Sequence, residues 1–96
     1  MDLSSDMKIH KRLHPIWKEY EKIKTSHPNF EHIIGKYQYL CSNKRQTISL
    51  IELSGMFYGD FRWEIYQIDG TPELLDDIER YKTKKDAIKR IKELLK

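Results

Sequence analysis

The segment KYQYLCSNKRQTISLIEL, residues 36–53, decides the architecture of this chain. Tyr37, Tyr39 and Cys41 recur at every second position, the repeat that places side chains on one face of a strand. The polar link SNKRQ, residues 42–46, has hairpin length, and QTISLIEL beyond it is β-branched and apolar. RWEIYQID, residues 62–69, alternates again and supplies a third strand.

Downstream of these strands, DGTP at 69–72 is dense turn chemistry. The next stretch, ELLDDIERYK, reads two ways. Leu74, Leu75 and Ile78 suit a helical turn, whereas DIERYK suits a short edge strand whose charges discourage further pairing; a turn followed by a strand is expected. Thr83, with Asp86 three residues on, marks the start of a C-terminal helix. Ala87, Ile88, Ile91, Leu94 and Leu95 then fall within an arc of about 120°, a stripe that faces a core.

Upstream, HPIWKEYEKIK carries Ile16, Trp17, Tyr20 and Ile23 at helical spacing, with Pro15 at the first helical position. Met7, Ile9 and Leu13 read as a turn of helix before it, broken at His14 because the residue before a proline avoids helical geometry. Pro28 ends this helix. Asn29 then caps a short turn bearing Phe30, Ile33 and Ile34, which stops at Gly35. The expected fold is α+β: an N-terminal helix, a three- to four-stranded antiparallel sheet, and an amphipathic C-terminal helix packed on the sheet. Residues 1–6 are expected to fray, and 7–96 to form a single domain.

Composition narrows the functional classes. Hydrophobic residues are 39% and charged residues 34% of 96, and the eleven aromatics separate the chain from a disordered one. The net charge of +3 is local: residues 1–78 hold ten basic and twelve acidic side chains, residues 79–96 eight and three. Cys41 is alone, which excludes an internal disulfide and points to a reducing compartment. MDLSSDMKIH lacks the basic start of a signal peptide, and no apolar run approaches a membrane span, so a soluble, cytoplasmic protein without membrane partners is expected.

No catalytic, metal or cofactor site is expected. His10 and His14 stand at i, i+4 in HKRLH, but Lys11 occupies the place where a zinc protease has its Glu, and only His27, His32 and Cys41 remain as distant ligands. The carboxylates Asp60, Glu64, Asp76, Asp77 and Glu79 sit in polar contexts, and Ser54 lacks a nucleophile-elbow pattern.

Two stretches are candidates for partner binding. In SGMFYGDFRW, residues 54–63, Met56, Phe57, Tyr58 and Arg62 have the composition of a protein-binding hot spot and could equally stack on unpaired bases. Phe61 and Trp63 beside them read as core residues or as part of the same surface. On the last helix, Lys85, Lys89, Lys92 and Lys96 fall at i, i+4, i+7 and i+11, one stripe able to follow a phosphate backbone or simply to face solvent. ELLDDIE next to it is an acidic edge that balances charge or docks a basic partner. The leading expectation is a non-enzymatic module with a protein partner. A nucleic-acid-binding protein and a homo-oligomer with an aromatic interface are the alternatives.

WEIYQIDG followed by DDIERYKTKKDAIKRIKELL forms a further pattern: a Trp-bearing strand, a turn, a short strand ending in an aromatic, and a Thr-capped helix. It resembles small accessory proteins of low-GC Gram-positive bacteria and their phages, some of which inhibit host or defence proteins. The resemblance covers about a third of the chain. It implies a regulatory or mobile-element role and carries no site residue.

Overall fold

The computed structural model describes residues 7–17, 19, 34–53 and 59–96 of the protein. Five antiparallel strands pair in chain order: β1 (Lys8–Leu13), β2 (Ile34–Ser42), β3 (Gln46–Leu53), β4 (Trp63–Gly70) and β5 (Glu79–Tyr81). A helix, Lys84–Leu94, follows. The hairpin that the alternation of 36–53 predicts is present, with Tyr39 opposite Leu50 and Cys41 opposite Ile48. Asn43 closes its tip, its side-chain oxygen accepting from the backbone N–H of Arg45 and of Gln46, both at 2.8 Å.

The helix covers one face of the sheet. Cys41, Ile48, Leu50 and Ile65 from the strands meet Leu75 and the helical Ala87 and Ile91, with Leu95 just past the helix end. Successive strand residues face opposite sides, so the registers that place Cys41, Ile48, Leu50 and Ile65 under the helix turn Gln38, Ser49, Ile51 and Glu64 to the other face. All four are buried there. Gln38 holds that face together: it accepts from Arg12 Nε at 2.8 Å and donates to Ser49 Oγ at 2.7 Å and to Tyr66 OH at 3.3 Å. A buried amide so bonded, across four strands, avoids the penalty of an unsatisfied polar group.

The N-terminal segment departs from expectation. Residues 8–13 form an edge strand rather than a turn of helix, so the sheet has five strands and not three or four. Ile9, Lys11 and Leu13 also alternate, and pairing with Cys41, Tyr39 and Tyr37 of β2 supplies the hydrogen bonds that six isolated residues could not gain as a helix. The break at His14 and the helical start at Pro15 are as expected: residues 15–17 and 19 are helical, and His14 Nδ1 accepts from the Ile16 N–H at 3.1 Å. Burial, aided by the charge of Arg12, holds the His14 pKa below its ordinary value, which keeps that nitrogen free to accept. Ile34 and Gly35, expected in a short helical turn, instead begin β2. The remainder of the expected N-terminal helices, with Tyr20, Ile23, Phe30 and Ile33, lies outside the described residues, as do residues 1–6.

The turn chemistry after β4 is strict at Gly70, where φ is +116° and a Cβ would fall 2.4 Å from the Arg45 carbonyl oxygen. Gly70→Ala is therefore expected to combine backbone strain with a clash against β3, lowering stability by about 2–3 kcal/mol. A urea titration read by circular dichroism checks this. An unchanged midpoint would contradict the close approach of β3 and β4 at this point.

Candidate functional site

The C-terminal helix fixes which of its lysines are available. Thr83 caps it, its hydroxyl accepting from the Asp86 N–H at 3.1 Å, as the spacing predicts. With Ala87 and Ile91 packed on the sheet, Lys85, Lys89 and Lys92 are turned outward. These three line an open groove of about 630 Å³ together with Lys84, Asp86 and Ile88.

Lys96 does not complete this stripe. The helix ends at Leu94 and its cap, Leu95, has φ −94° and ψ 13°, so Lys96 leaves the helical phase. It joins Lys44 and Arg45 around a separate depression of about 320 Å³ at the β2–β3 tip, floored by Pro72, Leu74, Leu94 and Leu95. Asn43 ties that tip to the helix end by donating from Nδ2 to the Leu95 carbonyl at 3.0 Å.

Lys84 extends the groove onto the sheet. Its ammonium lies 4.5 Å from the centroid of Tyr39 and 5.6 Å from that of Trp63. From the other side, Lys11 on β1 stands 4.3 Å over Tyr37 and 5.9 Å over Tyr39. Each such cation–aromatic contact contributes about 0.5–1 kcal/mol at an exposed site. The surface therefore runs from the lysines of the helix, over Lys84, to an aromatic strip on β2 and β4 with Lys11 at its far edge.

The register explains the strip. Tyr39 pairs with Lys11 across β1–β2, and Tyr37 two residues back is on the same face and 43% exposed. Trp63 begins β4 and is half-buried against the core, whereas Phe61 is exposed. Two carboxylates belong to the same surface: Glu52, which pairs with Trp63 across β3–β4, and Asp86, which lines the groove with the lysines.

Other charged groups are already engaged. Arg90 binds Glu79 through Nε at 3.0 Å and Nη2 at 3.3 Å, and Tyr81 donates to the same carboxylate at 2.6 Å. The Arg90 hydrogen bond holds the Glu79 carboxyl below its ordinary range, while burial and the bond to Glu79 push Tyr81 up to about 12. A carboxyl depressed on folding stabilises the native state above its unfolded pKa, and that contribution disappears as pH falls through the folded value. Glu79→Gln is thus expected to lower stability at pH 7, by at most about 1 kcal/mol for a partly exposed pair. The gap from wild type should close below about pH 4, where unfolded glutamate protonates; thermal melts across that range test it.

Arg62, expected at a protein-binding surface, is turned back on its own turn: Nη1 donates to the Gly59 carbonyl at 2.8 Å and to that of Phe61 at 3.3 Å. Met56, Phe57 and Tyr58 lie outside the described residues. Cys41 is fully buried, and burial raises its thiol to about 11, far from a nucleophile's range. Among the described residues no three His, Cys, Asp or Glu side chains converge to hold a metal ion, and no helix is long and apolar enough to cross a membrane.

Lys11, Lys84, Tyr37 and Tyr39 are the members of this surface that sequence reasoning did not select. Reading KIHKRL with a period of two would have placed Lys11 on the aromatic face. Lys84 is one residue out of phase with the stripe and becomes visible only through its contacts. No family model matches the chain, and no curated protein or solved structure matches it.

Proposed function

We propose that this protein is a non-enzymatic nucleic-acid-binding module whose phosphate contacts come from Lys85, Lys89 and Lys92, with Lys84 and Lys11 continuing them onto the sheet. The observation that carries this reading is the position of Lys84, shared between the lysine groove of the helix and the Tyr39 and Trp63 rings. A solubilising lysine face has no need of neighbouring aromatics; a surface that takes up a polyanion bearing flat bases uses both. The ion pairs among the described residues engage Arg80 and Arg90 and leave Lys85, Lys89 and Lys92 to solvent. A regulatory or accessory role suits a protein of this kind.

The test is a titration of mixed-sequence DNA and RNA, single-stranded and duplex, at roughly 50 mM salt and upward. Binding is expected to weaken with a log–log salt slope of magnitude about 3.5–4.5 for five lysine–phosphate contacts, since each neutralised phosphate contributes roughly 0.7–0.9. Absence of binding at the lowest salt refutes the proposal. A partner that survives nuclease treatment and is lost on replacing Phe57 and Tyr58 by Ala would instead support the protein-binding alternative. A dimer in sedimentation that those substitutions dissociate would support an aromatic homo-oligomer.

A further inference from the structure

We infer that the strip formed by Tyr37, Tyr39 and Trp63 is a base-stacking platform, so that the preferred ligand is single-stranded nucleic acid with its bases splayed apart. This rests on the nucleic-acid reading above and names the ligand class. Tyr37 and Tyr39 are two residues apart on one strand, which separates them by roughly 6.8 Å. Stacked bases in a duplex are about 3.4 Å apart along each strand, and their faces are covered by their neighbours. Each tyrosine therefore meets its own base only when the strand is unpaired and extended.

The lysines suit the same ligand. Lys11 and Lys84 stand over the rings, 4.3 Å from Tyr37 and 4.5 Å from Tyr39. Tyr37 is exposed and Tyr39 half-buried against the core; a cation held over such a ring is bound more weakly than a stacked base, and both stems are long. An arriving base displaces the ammonium, which moves to the adjoining phosphate. Phosphates are then gripped on both flanks of the strip and along the helix groove. Glu52 on β3, between the tyrosines of β2 and Trp63 of β4, repels phosphate and keeps the backbone on the flanking lysines.

Oligothymidylate and oligouridylate of about 12 nucleotides, within the usual site size, are the probes, with a duplex of equal length as reference. Single strands of either sugar are expected to bind at least tenfold more tightly than duplex at equal salt. They should also quench Trp63, whereas Trp17, 4% exposed, is out of reach of a base. Tyr37→Leu with Tyr39→Leu should reduce single-strand affinity roughly tenfold or more, as lost stacking predicts, and so narrow the preference for single strand over duplex. Tyr39→Phe should bind as wild type, because the ring is kept. If the double variant fails to fold, Tyr37→Leu alone, at an exposed position, should still lower single-strand affinity.

Equal affinity for duplex and single strand, without quenching, would overturn the stacking inference and leave the phosphate reading standing. No binding of any probe at low salt would remove both.

Discussion

Ile91→Ala is expected to lower the free energy of unfolding by about 3–4 kcal/mol, within the range for deleting a fully buried aliphatic side chain. Ile91 is wholly inaccessible and belongs to the cluster with Cys41, Ile48, Leu50 and Ile65. Among the described residues a single helix covers that face of the sheet, so the cavity has little material to collapse into it. A domain of this size has roughly 5–15 kcal/mol to lose. The urea midpoint should fall sharply while the slope of the transition stays that of wild type, since the surface exposed on unfolding hardly changes. A loss below about 1 kcal/mol would mean that the helix packs loosely on the sheet, against the burial of Ala87, Ile91 and Leu95.

Replacing Lys85, Lys89 and Lys92 together by Gln is expected to weaken nucleic-acid binding on the order of 10²- to 10³-fold at low salt, with three charge-assisted contacts at roughly 1–1.5 kcal/mol each. The salt slope should fall in magnitude by about 2, the share of three phosphates. All three side chains are exposed, so the fold should be unaffected, and far-ultraviolet circular dichroism with a melt verifies that. The matching control is Lys44→Gln with Lys96→Gln at the other end of the helix, where affinity should change little. An unchanged slope in the triple variant would make the groove a solvated face and nothing more.

Much of this architecture was legible because it is local. The alternation of 36–53, the turn residues of SNKRQ and the Thr83–Asp86 spacing each specify a structure within a few residues. The β1 strand was not legible, because KIHKRL satisfies both periods and only its partner β2 chooses between them. The same long-range pairing set the site. Lys11 and Tyr39 are 28 positions apart in the chain and adjacent in the sheet, and Lys84 reaches Tyr39 from a third element. Lys85, Lys89 and Lys92 share the exposed side of the helix, but the helix ends before Lys96, a boundary that depends on the cap at Leu95.

The order of the strands also bears on how the protein is made. Each strand pairs with the one synthesised before it, so the sheet can grow strand by strand as the chain emerges. The helix that covers it, however, follows all five strands in the chain. Until Ile91 and Leu95 have emerged, Cys41, Ile48, Leu50 and Ile65 form an uncovered apolar face on a nascent chain. A nascent chain whose strands leave the ribosome ahead of this helix thus displays a sheet ready to adhere to its neighbours until Ile91 and Leu95 dock on it.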